Sequence, residues 1–459
     1  MRDSVTFFLN GRKQTAGAAD AMQSLSRYLR YDLRATGTKI VCEEGDCGSC
    51  TVMIGRRENG GLRYRPINSC ITFLFQLDCT HVVSVEGLAR DGKLTPLQDA
   101  MVRCHGAQCG YCTPGFIMAM QAMYEKPQDV RVSLTGNLCR CTGYEPIMKA
   151  ASEIRGQPTL EEMYPSAEML REFASIEREP LRAGDFFKPV SLRDAIEFKA
   201  SHPQCVIVQG ATDFGVWCNK RGFAPGAVLS LDAIEGLGDV GIDGGEIRVG
   251  GRVTLAQFEE FVAGRIPELA RILDRFGSPQ IKNAGTLAGN IANASPIADT
   301  LPFLYVSDAR LELTGRNGMR TVPIASFYRG YKTLDLAQDE IITAIRFPLP
   351  SRADTLRLYK ISKRSHLDIS SFTAAMLMRR AGDRIDAIRI AYGGVAPTVL
   401  RLPRTESFLT GKPFSLDTFE DAGAIAKEEI APISDVRGSR EFRLQLAENM
   451  LKKFYYDVV

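Results

Sequence analysis

Ten of the twelve cysteines in this 459-residue chain lie before residue 142, and their spacing constrains the fold more than any other feature. Cys42, Cys47 and Cys50 read C-x4-C-x2-C, and Cys70 follows after nineteen residues. That is the spacing by which plant-type ferredoxins hold a [2Fe-2S] cluster. Gly45 and Gly48, which lack Cβ, let one short loop turn three thiolates inward and bring backbone N–H groups to the sulfurs. A second set, Cys109-x2-Cys112 and then Cys139-x-Cys141 after twenty-six residues, supplies four more thiols. Four thiolates also satisfy tetrahedral zinc, so a zinc-stabilised scaffold stays open for both quartets. Cys79 and Cys104 are expected to be small buried hydrophobes. Cys205 and Cys218 stand alone.

The composition narrows the rest. At about 100 to 200 residues per domain the length implies a modular protein. The 57 basic and 54 acidic side chains nearly cancel, which leaves no field to hold a nucleic-acid backbone or an anionic membrane. The N-terminal residues show no secretory pattern and no apolar run is long enough to span a bilayer, so a cytoplasmic location is expected. There, thiols serve as metal ligands sooner than as disulfides. His81, His105, His202 and His366 show no triad or zinc spacing.

Local patterns place these motifs. Val5 to Leu9 reads as a strand ending at an Asn10-Gly11 hairpin turn. Leu25, Tyr28, Leu29 and Leu33 share a helical face, and Val52 to Ile54 and His81 to Val85 supply further strands, which together suggest a β-grasp. Helices are predicted over Pro96 to Val102, from Thr113 through Met123, and over Glu145 to Ile154, so a helical bundle is expected to hold the second quartet. Residues 156–180, rich in Glu and Arg and bounded by prolines, read as a linker. Beyond it a helix at Leu192 to Lys199 precedes the apolar strand Cys205 to Val208, which runs into Gln209-Gly210-Ala211-Thr212-Asp213. Such a strand-to-helix turn exposes N–H groups suited to a diphosphate. The small and polar residues from Gly285 to Asp299 suit the close approach of a ligand. Apolar runs at Ala374 to Met378 and Ile388 to Tyr392, and a helix from Ser439 to Tyr455, end the chain.

Gln108-Cys109-Gly110-Tyr111-Cys112-Thr113-Pro114-Gly115 and Gly136-Asn137-Leu138-Cys139-Arg140-Cys141-Thr142-Gly143-Tyr144 resemble the xanthine dehydrogenase family of molybdenum hydroxylases. With a flavin-domain pattern on the same chain, the resemblance extends to the small iron-sulfur and FAD subunit of two-subunit bacterial members. It implies an α+β multidomain fold: a ferredoxin-like β-grasp domain (1–84), a helical [2Fe-2S] domain (85–155), the linker (156–180), an FAD-binding domain (181–352) and an α+β flavoprotein C-terminal domain (353–459). It further implies that Val206, Ile207, Val208, Gln209, Gly210, Ala211, Thr212, Asp213, Gly285, Thr286, Leu287, Ala288, Gly289 and Asn290 contact FAD. Phe276 would lie near the isoalloxazine, and Asp299, Ile342 and Lys360 would complete the site. Gln108 and Cys141 would approach a molybdopterin on a large partner subunit in a dimer of heterodimers. The implied activity is an electron relay from purine oxidation on the partner through two [2Fe-2S] clusters and FAD to NAD, with no catalytic side chain on this chain. Aldehyde or N-heterocycle hydroxylases carry nearly the same motifs, a redox module serving several partners is a further alternative, and oxygen remains an alternative acceptor. Gln209 and Ala288 stand where glycine is frequent, and Lys332 where arginine is usual.

Overall fold

The structure is a computed structural model that describes residues 1–459. The chain divides into two compact units, Met1–Glu235 with Ser278–Gly285, and Gly236–Gly277 with Thr286–Val459.

The first unit opens with the hairpin Val5–Leu9 and Arg12–Ala16, which turns at Asn10 and Gly11 with φ of 49° and 78°. Positive φ at both turn residues matches the right-handed twist of the strands. Val5–Leu9 lies parallel to His81–Val83, Thr51–Glu58 pairs antiparallel with His81–Val83, and Gly61–Asn68 forms the far edge. The crossing helix is short: Leu25–Arg27 passes into a π-helical turn over Tyr28–Asp32, with Leu25 and Leu29 fully buried and Leu33 outside. This is the expected β-grasp. Its unpredicted edge strand alternates buried Leu62 and Tyr64 with half-buried Arg63 and Arg65 and then carries Pro66; an edge tolerates Pro66 because one side of it needs no ladder donor.

Four helices follow, Pro96–Arg103, Thr113–Glu125, Val130–Leu134 and Glu145–Glu153. Thr113–Glu125 is buried continuously from Gly115 to Ala122, as the central member of a bundle must be. Residues 156–180, expected to be a linker, instead fold onto this core as helices Leu160–Met163 and Ala167–Ile176. Leu160, Met163, Met169 and Phe173 are buried there, and Phe173 meets Phe8 edge-on at 5.7 Å between ring centroids. Four apolar residues at helical spacing are enough to dock a segment that is otherwise Glu- and Arg-rich.

The last part of the first unit is a four-stranded sheet in the order Leu181–Ala183, Phe186–Lys188, Val228–Leu229, Val206–Ile207. The last three run parallel, with helices Leu192–Ser201 and Phe214–Arg221 as crossovers. A buried cluster fixes this sheet to the β-grasp: Asp78 accepts from Arg2, from Lys188 and from the Thr6 N–H. Burial raises the Asp78 carboxyl, but the two cations hold it down to about 2.

The second unit contains an antiparallel sheet in the order Val240–Asp243, Glu246–Gly250, Ile341–Pro348, Arg310–Gly315, Gly318–Pro323. Its inner face packs on helices Leu255–Val262, Pro267–Asp274, Leu287–Ala292 and Leu301–Val306 through one apolar core. A second antiparallel sheet, Asp354–Ile361, Phe372–Ala381, Arg384–Gly393 and Leu400–Arg401, contains both predicted apolar runs. Helices Leu416–Glu428 and Arg440–Tyr456 pack against it.

Candidate cluster and flavin sites

In the first quartet, Cys42 lies within hydrogen-bond reach of Cys47 and Cys70, and Cys50 within reach of Cys70, so all four thiols form one connected group. Gly45 and Gly48, at φ of 77° and 69°, make the turns that bring them together. A Cβ on Gly48 would stand 2.2 Å from the Gly136 carbonyl oxygen, and one on Gly45 would stand 2.5 Å from Ile71 Cδ1. Gly48 is therefore required by space as well as by φ, whereas at Gly45 the nearest atom is the mobile end of a side chain and φ is the stronger constraint. Asn68 Nδ2 donates to the Gly45 carbonyl at 2.8 Å, and Asn219 Nδ2 bridges the carbonyls of Glu43 and Cys70 at 2.9 Å each. Donors from Cys47 and Cys70 hold the Cys42 thiol far below the ordinary thiol range, and the same bonds push Cys47 and Cys70 above it.

The second quartet forms two pairs. Cys141 Sγ lies 3.6 Å from Cys109 Sγ, and Cys112 bonds to Cys139. Two pairs suit a binuclear centre in which each iron takes two thiolates. Cys112 sits at the N-terminus of the buried helix Thr113–Glu125, and burial, with Cys139 accepting its thiol proton, pushes that thiol up to about 12. Cys139 is lowered despite its burial, because the hydroxyl and N–H of Thr142 face its sulfur. Positive φ at Gly110, Gly143 and Tyr144 shapes the two turns. Gln108, Cys109 and Cys141 are exposed, whereas Cys50 and Cys70 are buried. The two quartets thus occupy unlike environments. Cys104 is buried beside Glu153 and Cys79 is half-buried, as small hydrophobes are.

Of the segments expected to hold flavin, the first unit contains Val206 to Asp213 and Gly285. Gly210 approaches the neighbouring backbone so closely that a Cβ there would stand 1.9 Å from the Ala284 carbonyl oxygen. Gly210 therefore meets the peptide that joins Ala284 to Gly285. Gln209, where glycine is frequent in the family, ties its own turn to the strand beside it, for its Oε1 accepts from Leu231 N–H at 2.7 Å and its Nε2 donates to Asp232 Oδ1 at 3.1 Å. Asp213 is exposed, and Ala211 has φ of 56°.

The second unit contains Phe276, Thr286 to Asn290, Asp299, Ile342 and Lys360. Thr286 caps helix Leu287–Ala292 by accepting from Gly289 N–H at 3.0 Å, and Asn290 Oδ1 accepts from Thr300 Oγ1 at 2.6 Å. Asp299 and Lys360 form a buried ion pair at 2.5 Å, and Ser370, which no motif singles out, bonds to both. Burial raises the Asp299 carboxyl against the pull of Lys360. Ile342 is buried in a strand and Phe276 packs at the edge of the core. Lys332 Nζ lies 3.3 Å from Asn293 Oδ1. Asn68, Asn219 and Gln280 carry no signal in the sequence either, since each acts on partners distant in the chain.

Four family models match successive stretches of the chain. Residues 7–74 match the 2Fe-2S iron-sulfur cluster binding domain, 84–152 the [2Fe-2S] binding domain, 179–350 the FAD binding domain in molybdopterin dehydrogenase, and 357–458 the CO dehydrogenase flavoprotein C-terminal domain. Aldehyde oxidase 1 of Bos taurus is 28% identical over 98% of this chain and 39% of its own length, and xanthine dehydrogenase of Emericella nidulans is 29% identical over 100% and 39%. The chain thus spans about two fifths of these relatives. Quinoline 2-oxidoreductase from Pseudomonas putida 86 superposes with a TM-score of 0.56 and 27% identity, over 60% of this chain and 96% of the matched one. Carbon monoxide dehydrogenase from Hydrogenophaga pseudoflava gives a TM-score of 0.56 and 26% identity over 60% and 96%. No helix is long and apolar enough to cross a membrane.

Proposed function

We propose that this chain, which belongs to the molybdenum hydroxylase family and carries its 2Fe-2S and FAD electron-transfer module, serves an NAD-dependent xanthine dehydrogenase. In this reading it passes electrons from a molybdopterin-bearing large subunit toward NAD while hypoxanthine and xanthine are oxidised to urate. What supports it is the proximity of the thiols within each set, with Cys50 and Cys70 of the first buried and Cys109 and Cys141 of the second exposed, together with the match of residues 179–350 to the FAD binding domain. Cys42, Cys47, Cys50 and Cys70 would hold one cluster and Cys109, Cys112, Cys139 and Cys141 the other. Val206 to Asp213 and Gly285 to Asn290 would hold FAD, with Phe276, Asp299, Ile342 and Lys360 completing its site. When bound, the clusters supply one-electron carriage and the flavin exchange between one- and two-electron chemistry.

What the chain itself does is hold and shield. Asn68, Asn219 and Thr142 aim donors around the cysteine loops, and Gly210 lets backbone approach backbone where the diphosphate would lie. The exposed Gln108 and Cys141 would face the molybdopterin of the partner, and a dimer of heterodimers follows from the family. A second reading, the same module in an aldehyde or N-heterocycle hydroxylase, is favoured by the equal identity to aldehyde oxidase and xanthine dehydrogenase. Substrate choice would then belong to the partner. The purified chain should oxidise NADH with an artificial acceptor and show no xanthine turnover until a large subunit is added. Xanthine turnover by the chain alone would reject the assignment, and turnover of aldehydes but not xanthine by the complex would favour the second reading.

A further inference from the structure

The peptide between Gly48 and Ser49 lies at the meeting point of three segments of the first unit. Its N–H, on Ser49, lies in the turn between Cys47 and Cys50 and faces the Cys47 sulfur. Its carbonyl, on Gly48, accepts twice: from Thr51 Oγ1 at 2.6 Å and from Asn137 Nδ2 at 2.9 Å. Asn137 belongs to the loop of the second quartet, two residues before Cys139. Its other amide atom, Oδ1, accepts from Gln280 Nε2 at 2.9 Å, and Gln280 also reaches Thr51 Oγ1 at 3.2 Å. Gln280 lies in the excursion Ser278–Gly285, which ends where the second flavin segment begins. Asn137 and Gln280 are both almost wholly buried, at 2% and 1% exposure.

Because a trans peptide points its carbonyl and its N–H in opposite directions, donors on the Gly48 oxygen polarise the Ser49 N–H toward sulfur. Hydrogen bonds in such a chain strengthen one another where the local dielectric is low. Gln280 decides which end of the Asn137 amide faces Gly48, since an amide turned by 180° would set Oδ1 against a carbonyl. Gly48, Gly115 and Gly136 leave the space for this contact: a Cβ on Gly115 would stand 2.2 Å from the Gly48 oxygen, and one on Gly136 2.0 Å from Gln280 Oε1. Gln280 Oε1 is buried without a hydrogen-bond partner. An unsatisfied buried acceptor destabilises a fold, and here it accompanies the orientation that keeps Nε2 directed at Asn137 and Thr51.

We infer that Gln280 and Asn137 are positioning residues that tune the ferredoxin-like cluster through the Gly48–Ser49 peptide, so that a residue bordering the second flavin segment sets the electron affinity of a cluster it does not ligate. The inference rests on the two-cluster reading. Reduction adds negative charge to the cluster and its sulfurs, and a polarised N–H at Cys47 stabilises the reduced form more than the oxidised form. Removing the polarisation makes the cluster harder to reduce.

The test is a redox titration of the full chain by electron paramagnetic resonance, with iron content measured first. The signal of the ferredoxin-like cluster is identified by its change in Cys47→Ser. Gln280→Met, which keeps the volume and removes the donor, should shift that cluster's one-electron equilibrium at least about threefold toward the oxidised form, where tenfold is 59 mV. Thr51→Val, which removes a different donor from the same carbonyl, should shift it in the same direction, and the second cluster should move much less in both. Intact clusters with unchanged midpoints in both variants would overturn the inference while leaving the two-cluster reading standing. A wild-type chain without two paramagnetic clusters would overturn both.

Discussion

Gly48→Ala should damage the ferredoxin-like cluster loop far more than a methyl group ordinarily does. The residue has φ of 69°, and the new Cβ would stand 2.2 Å from the Gly136 oxygen and 2.6 Å from Asn137 Nδ2. Left-handed backbone costs a residue with Cβ roughly 1–2 kcal/mol. Forcing a methyl against a backbone carbonyl that cannot rotate away adds about 1–3 kcal/mol. Displacing Asn137 from the Gly48 carbonyl, now at 2.9 Å, adds about 1 kcal/mol. Together these come to roughly 3–6 kcal/mol. Gly60→Ala is the matched control, for Gly60 has φ of 82° but no atom within 4 Å of a built Cβ, so only the backbone cost of about 1–2 kcal/mol remains. Urea denaturation of the two variants beside the wild type, with iron counted per chain, separates them: Gly48→Ala should lose both stability and iron while Gly60→Ala keeps its iron. If Gly48→Ala matched Gly60→Ala in both measurements, the close packing of the two cysteine loops would be refuted.

Three further outcomes follow from buried groups. Phe173→Ala should cost about 3–5 kcal/mol, because Phe173 is fully buried against Phe8; a change below about 1 kcal/mol in urea denaturation would mean that residues 156–180 do not pack. His81 is buried, accepts from Gly11 N–H at 3.0 Å, and burial lowers its imidazole to about 4. Its neutral form costs nothing above the unfolded value near 6.5; as pH falls from about 6.5 toward 4 the unfolded chain takes up a proton that the folded chain refuses, so about 3 kcal/mol of stability is lost. Denaturation midpoints at pH 7 and 5 should therefore diverge more in the wild type than in His81→Asn. Lys360→Met strands the buried Asp299 carboxylate and should destabilise the chain by about 3–5 kcal/mol, whereas Asp299→Leu with Lys360→Met should recover much of the loss; equal loss in single and double variants would show that the pair contributes nothing specific.

What the sequence makes legible is local. Cys42, Cys47 and Cys50 sit within one loop, so their spacing alone marks them as candidate metal ligands, and the run from Gly115 to Ala122 is apolar enough to be read as a buried helix. The strand Gly61–Asn68 alternates from Leu62 to Arg65 but then carries Pro66, which argues against a strand unless that strand is known to lie at an edge. Residues 156–180 read as a linker because few apolar side chains, chiefly Leu160, Met163, Met169 and Phe173, hold them, and neither Leu160 nor Phe173 signals what it packs on. The polar residues around the cysteines are the least legible. Asn137 and Gln280 are 143 residues apart in sequence, and an amide with a partner so distant looks like any other amide. Lys360 and Asp299 are reached through family resemblance; the structure adds Ser370 as their common partner, which no local pattern indicates.

The metal content of the chain tests the central claim most directly. Purified anaerobically and reduced with dithionite, it should contain about four iron and four acid-labile sulfides per chain and show two distinct paramagnetic signals, as two binuclear clusters on eight thiolates require. One or two zinc ions per chain, with no iron and no visible absorption, would contradict the account.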